Sequence, residues 1–486
     1  MQTLTWFRYD LRLNDNESFL KSLSSDKNIL IYIFDENIWK DQTSSSFHLK
    51  FTIESLEGLK NQLIEKYNAH LNIYYGDTLE VMKHLIKKYN ITNVNSNRIF
   101  RGLLTNKIDN NCRKLFNENS IKWSVFNQFG IQLSKRNRST WSTDWRKFMS
   151  QKIHNQSDVK CRFISDSIMT NYKIKTNTIA SSNIQTGGSN QAEKLLDSFI
   201  SYRGTEYQSQ MSSPLTAETS CSRLSPSIAL GTISIRTIYQ TTLNKLKTNI
   251  NANHKKSLKS FKSRLAWHCH FIQKLYDQPS IENSNLNPAY DGMRENSFDE
   301  KKYQAWTDGK TGYPFVDACM RYLKETGWIN FRMRAMLVSF ASYQLWLDWK
   351  ITSKFLAKYF TDYEPGIHYS QFQMQSGTTG INTIRIYNPI KQSMDHDKCG
   401  HFIKKWVPEI SDLPDVYIHQ PWLLTPIEMK STDFKFGEKY PHRIVENTKS
   451  TQLAKEKIWS VKTSKTAKEI AKDIVKKHAS NKLFIR

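Results

Sequence analysis

Along the first 130 residues, short runs of β-branched and aromatic residues alternate with longer segments whose apolar positions recur every three or four residues. Thr3–Arg8, Ile29–Phe34, Leu71–Tyr75, Asn93–Ser96 and Trp123–Asn127 read as strands. Phe47–Tyr67, Thr78–Tyr89 and Lys107–Asn117 read as amphipathic helices, because a 3.6-residue period gathers their apolar side chains on one face. Strand–helix alternation predicts a parallel, Rossmann-like sheet with helices on both faces. No GxGxxG follows the first strand, so the usual dinucleotide fingerprint is absent. The strand ends still offer a crevice, with nothing in the sequence to say what would occupy it.

The pattern changes near Asn155. From there to Gln191 the chain is Ser-, Asn- and Gly-rich, with IASSNIQTGGSNQ reading as a linker or long surface connection. Beyond it Ala192–Tyr202, Ser227–Lys247, Lys256–Leu275, Pro314–Lys324, Phe331–Trp349 and Ser353–Phe360 all carry the helical period. The predicted organisation is an α/β domain over 1–130, a connection over 131–195 and an all-α domain over 196–486. From about Lys455 the chain is lysine-rich and amphipathic, as in KEIAKDIVKKHA: a basic arm for DNA or a solvated terminal helix.

The 13 Trp, 22 Tyr and 25 Phe among 486 residues supply large cores and exclude a disordered chain. A net charge of +25 favours polyanionic partners, nucleic acid first and an anionic membrane surface second. No run approaches the roughly 18 apolar residues of a membrane span. The N-terminal MQTLTWFRYDLRLND carries charges where a signal peptide needs its apolar stretch. Six scattered cysteines without a CxxC pair argue against a disulfide framework or a cysteine metal site, so a reducing, cytoplasmic setting is expected.

Four clusters could carry chemistry. In SRLSP, Ser225 suits a helix N-cap and Pro226 the first helical position, a start that favours phosphate. Arg332 and Arg334 lie in a very apolar helix, followed by Asp362 and Glu364; charges in such surroundings need partners, as structural glue or as tuning for a cofactor. Asp395, His396, Asp397, Cys399 and His401 crowd together without an established ligand spacing, so no metal is expected. His268 and His270 point to different sides of a helix.

The order of these blocks resembles the photolyase/cryptochrome flavoprotein family, in a divergent bacterial-type branch. WFRYDLRLNDN at Trp6–Asn16, SRLSP at Ser222–Pro226, TDGKTGYPFVDACMRYLKETGW at Thr307–Trp328 and RIYNPIKQSMDHDKCGHFIKKWVPE at Arg385–Glu409 carry the resemblance. It implies that the α/β domain holds an antenna chromophore (a folate, flavin or deazaflavin) and that the helical domain holds U-shaped FAD. By position, Tyr207, Ser222, Arg223, Leu224 and Ser225 would contact its phosphates and ribityl chain; Trp267, Arg334, Asp362, Tyr363, Glu364 and His368 would complete the cofactor set. Glu364 stands in place of the usual second aspartate, and His368 where an Asn commonly faces the flavin N5 edge. Trp349, His368 and Arg334 would be the catalytic residues, and Arg264, Trp267, His268, Asn330, Arg332 and Met374 the DNA contacts.

There are departures. Arg264 replaces the glutamate that serves dimer repair, Met211 an arginine that grips lesion DNA, and Met374 an aromatic that packs against the lesion. Of three electron-relay tryptophans only Trp349 is in register, the others falling on Phe372 and Asn296. The expected function is a monomeric, light-dependent DNA photolyase acting on UV-damaged pyrimidines, a carbon–carbon lyase using an electron from photoexcited reduced FAD. The alternative is a cryptochrome-type blue-light photosensor with little or no repair.

Overall fold

The computed structural model describes residues 2–134, 137–153, 161–166, 183–432 and 434–479. Strands β1 (Gln2–Phe7), β2 (Lys27–Asp35), β3 (Leu71–Gly76), β4 (Asn93–Asn97) and β5 (Lys122–Phe126) form a parallel sheet in the order β3-β2-β1-β4-β5. The central KNILIYIFD of β2 is buried from its second residue onward, as a parallel strand covered on both faces must be. Helices α1 (Glu17–Ser22), α2 (Ser46–Tyr67), α3 (Thr78–Tyr89) and α4 (Leu103–Glu118) supply the covers. Phe7, Leu30 and Phe34 pack with Phe19 of α1 and Phe51, Leu59 and Leu63 of α2. Leu4, Trp6, Ile29 and Ile31 pack on the opposite face with Met82, Leu85, Cys112 and Phe116. Each such side chain contributes roughly 1.5–3 kcal/mol of burial.

The expected connection is partly structured. Trp141–Met149 is a helix whose Trp141 and Trp145 join the core of the helical half, and Arg162–Phe163 adds a sixth strand beside the start of β2. Residues 154–160 and 167–182 of the expected linker lie outside the described residues. The second half is helical. Its main core gathers Trp306, Phe315, Met320, Met336, Phe340 and Trp349 among others. No helix among the described residues is long and apolar enough to cross a membrane.

Two predicted helices are broken. Ser227–Lys247 divides into Ser225–Leu230 and Ile235–Leu246. The reason is Gly231, whose φ of 72° ends the first helix and whose missing side chain admits the other domain: a Cβ there would lie 2.2 Å from the Tyr9 carbonyl oxygen. Phe331–Trp349 divides after Ser339, where Phe340–Gln344 widens into a π-turn, Trp346 takes φ of 58°, and a new helix starts at Trp349 under the Asp348 cap. Arg294 holds this break by donating to the Ser342 carbonyl at 2.9 Å and lying 4.5 Å over the Trp346 ring. A segment apolar all round gives no periodic signal of such an interruption.

The charges of WFRYDLRLNDN bind the two halves together. Arg12 donates to the Gly231 carbonyl at 3.0 Å and to Gln128 at 3.2 Å. Asp15 receives Arg236 in a two-contact pair at 2.5 and 3.0 Å, both side chains nearly inaccessible. Removing one partner of such a pair costs about 3–5 kcal/mol.

Candidate functional site

Arg334 is fixed on three sides. It donates from Nε to the Ile329 carbonyl at 2.7 Å and from its two terminal nitrogens to Asp362 at 2.8 and 2.9 Å, with its guanidinium 4.2 Å over Phe360. The paired cation and further contacts hold the Asp362 carboxyl below its usual range against the opposing effect of burial. One of those contacts comes from Ser225. The expected N-cap role therefore goes elsewhere: Leu224 occupies the cap position, and Ser225 and Pro226 are the first two helical residues. With no cap bond to make, the Ser225 hydroxyl is available to the carboxylate.

The turn before it is shaped by charge. Arg203 donates to the carbonyls of Thr219, Cys221 and Ser222 at 2.9, 2.6 and 3.3 Å. Arg223 adopts φ of 61°, unusual for a non-glycine residue, with its carbonyl held by Gln185 at 2.9 Å and its guanidinium 4.0 Å over Trp328. Its charge also helps hold Asp362 ionised. Tyr207 is buried and hydrogen-bonds to Arg264. Arg334, Asp362, Ser225 and Arg223 thus form one constellation, with Tyr207 and Arg264 forming a second contact.

Glu364 departs from this group. It faces Arg101 of the loop after β4 at 3.1 Å, and Arg101 lies 4.3 Å over Tyr9. Burial pushes the Glu364 carboxyl up to about 7 against the pull of Arg101. Tyr363 beside it shares a hydroxyl contact of 3.0 Å with Tyr369. His368 is buried with its Nε2 2.9 Å from the Ser353 carbonyl, and desolvation lowers its pKa to about 3. A carbonyl can only accept, so Nε2 carries the proton and Nδ1 is left as an acceptor. Trp349 is buried, its Nε1 donating to Asn285 at 2.7 Å. Phe372 is buried 4.6 Å from the His368 ring, whereas Asn296 is exposed.

The expected DNA contacts divide. Arg264 is exposed; Trp267, Arg332 and Met374 are half-buried, with Trp267 stacked 5.9 Å from Phe271. His268 is turned against Phe129 at 5.3 Å, and burial lowers its pKa to about 4, so it offers no cation to phosphate. One helical residue past Trp267 is a rotation of roughly 100°, which takes it off the face that Trp267 presents. Asn330 is buried and its amide nitrogen is spent on the Met211 and Ser212 carbonyls at 3.1 and 2.8 Å. Both side chains are engaged within the protein. The metal-like run is likewise structural: Asp397 accepts from the backbone of Phe402 and Ile403, ordering the helix that starts at His401.

A cleft of about 100 Å³ opens at the carboxyl ends of the strands, lined by Tyr9, Trp39, His48, Arg101 and Tyr363 among others. This is where the sheet reverses its order, since β1 lies between β2 and β4. Apart from Tyr9 in WFRYDLRLNDN, its α/β-domain lining residues were not singled out from sequence. Tyr9, Trp39 and Arg101 follow the ends of β1, β2 and β4, whereas His48 comes from α2.

Residues 3–129 match the family model described as DNA photolyase, and residues 261–460 match the FAD-binding domain of DNA photolyase. The deoxyribodipyrimidine photo-lyase of Alkalihalophilus pseudofirmus is 31% identical over 269 residues, 55% of this chain and 54% of that protein. The deoxyribodipyrimidine photo-lyase of Agrobacterium fabrum is 27% identical over 473 residues, 93% of this chain and 96% of that one. Among solved structures, a bacterial class III photolyase from Agrobacterium tumefaciens superposes with a TM-score of 0.82 at 25% identity, covering 95% of this chain and 98% of that one. An archaeal photolyase from Sulfolobus tokodaii, solved with two FAD molecules, gives 0.79 at 26% identity over 95% of this chain and 100% of that one. With both halves matched in order, the chain belongs to the photolyase/cryptochrome family of flavoproteins.

Proposed function

We propose that this protein is a light-dependent DNA photolyase that repairs UV pyrimidine photoproducts, acting as a monomer in the cytoplasm. The observation that carries the reading is the two-contact Arg334–Asp362 pair beside Ser225, a fixed charge arrangement packed against Phe360. The residues fit FAD. Asn330 Oδ1 is a buried acceptor with no partner among the described residues, one turn before Arg334, and the Arg334 side chain retains 21% exposure. Both leave polar groups for a ligand to meet.

Tyr207, Ser222, Arg223, Leu224 and Ser225 would hold the phosphates and ribityl chain, with Arg334, Asp362 and His368 at the ring. FAD in its reduced, photoexcited form would supply the electron that splits a pyrimidine photoproduct. Arg334 favours negative charge at the ring, and Asp362 keeps that cation aligned through two parallel contacts. His368 stays neutral and offers an acceptor at Nδ1. Trp267, Arg332, Arg264 and Met374 would border the extruded lesion, whose flipping costs least where pairing is already damaged. The strand-end cleft would seat the second chromophore, a folate, flavin or deazaflavin. All six cysteines are free, consistent with a reducing compartment.

One observation favours the photosensor reading: Arg264 puts a cation at Tyr207 where repair-competent relatives are expected to carry a carboxylate. The deciding experiment exposes the reduced protein to blue light with oligonucleotides bearing either a cyclobutane dimer or a 6–4 product, and separates the products. Light-dependent loss of one lesion is expected. No repair of either by flavin-loaded protein would leave the photosensor.

A further inference from the structure

The lysine-rich terminal stretch has a neighbour that its sequence does not suggest. The helix Asn447–Thr463 buries Ala454 and Ile458 and is otherwise largely open to solvent. Lys455 and Trp459, one turn apart, face an open groove of about 610 Å³ whose other wall is Arg332, Ile384, Arg385, Ile386 and Tyr387. Trp459 is 49% exposed, and Lys462 lies 4.9 Å over its ring. No carboxylate lines the groove, and neither Arg332, Arg385 nor Lys455 has an ion-pair partner among the described residues. Three unneutralised cations around an exposed indole are the elements of a single-strand site, in which phosphates meet the cations and a base stacks on the ring.

We propose that this groove binds an unpaired segment of DNA, with a base stacked on Trp459 and its flanking phosphates on Lys455 and Arg385. The inference rests on the photolyase reading for its substrate class. Arg332 lines the same groove as Lys455 and Trp459 of the terminal helix. An anionic membrane surface could use the same charges and the same ring, so competition between oligo-dT and vesicles separates the two.

The test uses the full-length, flavin-loaded protein in the dark, with oligo-dT and a lesion-free duplex as probes and binding read by anisotropy at several salt concentrations. Wild type is expected to prefer oligo-dT. Trp459→Ala should weaken oligo-dT binding roughly five- to a hundredfold while changing duplex binding little, and should leave the salt slope unchanged. Lys455→Gln should lower the slope of log affinity against log salt by about 0.7. Trp459→Phe should restore much of the binding, which separates stacking from misfolding, as do unchanged flavin content and melting temperature. Equal oligo-dT affinity for wild type and Trp459→Ala overturns the proposal, as does tight binding of anionic vesicles that oligo-dT fails to displace. Lesion repair under light is scored separately, so loss of the groove and loss of the photolyase reading give different results.

Discussion

Arg101 and Glu364 meet at 3.1 Å across the boundary between the two halves, joining the strand-end cleft to the turn that carries Asp362. Both side chains are largely buried, at 12% and 6% exposure, so neither charge is well solvated. Glu364 directly follows Tyr363, which lines the same cleft.

A pH dependence of stability follows. The Glu364 carboxyl is pushed up to about 7 from an ordinary value of 4.5. In the window between them the folded chain holds a proton that the unfolded chain has lost. The stability this confers is complete below about pH 4.5 and is lost as pH rises through 7, by about 3 kcal/mol as an upper limit. Glu364→Gln fixes the neutral state, so its melting temperature should gain on wild type between pH 5.5 and pH 8. Melting curves that shift in parallel across that range would show that Glu364 is ionised throughout.

Gly231→Ala tests how the halves dock. The added Cβ meets the Tyr9 carbonyl at 2.2 Å and the Asp10 Cα at 2.7 Å, at a φ of 72°. Neither neighbour is the tip of a flexible side chain, so the backbone itself must move. A loss of about 2–4 kcal/mol is expected, through overpacking and left-handed strain together. Denaturant unfolding should show a lower midpoint, and an unchanged midpoint would mean that the interface yields without cost.

Arg334→Ala should release flavin and destabilise the fold, because Asp362 then stays buried without its cation, at about 3–5 kcal/mol. Arg334→Lys should fall between, keeping the charge but losing the two-contact geometry with Asp362. Flavin absorbance per chain and thermal melting read the two effects separately. A fully flavin-loaded Arg334→Ala protein would remove the pair from the cofactor site.

These sites were unequally legible in the sequence. The strands stood out because five short β-branched runs alternate with helical periods, and Arg334 with Asp362 stood out because isolated charges in apolar sequence demand partners. Glu364 was placed beside the flavin by its position, but its partner Arg101 lies 263 residues away and no local pattern links them. Ser225 read as a cap because Ser before Pro usually is one; the Asp362 carboxylate outcompetes the backbone for its hydroxyl. The break at Phe340–Gln344 was hidden because every residue there is buried, leaving no polar face whose phase could slip. His268 and Asn330 show a related effect: neighbours along a helix share a sequence block but not a face.

Electron supply is the remaining expectation. By the family resemblance, Phe372 and Asn296 fall at two of the three relay positions, and neither side chain oxidises readily. The structure offers a different neighbour: the Trp349 ring lies 6.4 Å from Tyr369, edge to face, and the Tyr369 hydroxyl accepts from Tyr363 at 3.0 Å. Oxidising a tyrosine requires its proton to leave. Burial raises the Tyr369 pKa, and the Tyr363 hydroxyl is a poor base, so this branch should carry a hole slowly. Photoreduction of oxidised flavin under an external thiol reductant is therefore expected to be slow in wild type. Phe372→Trp should accelerate it, because an indole would then stand in the buried position beside His368. Trp349→Phe and Tyr369→Phe should slow it further if the alternative branch operates. Flavin bleaching gives the rates, and transient absorption of the tryptophan radical identifies the donor. Fast bleaching in wild type that Trp349→Phe leaves unchanged would place the electron path outside this cluster altogether.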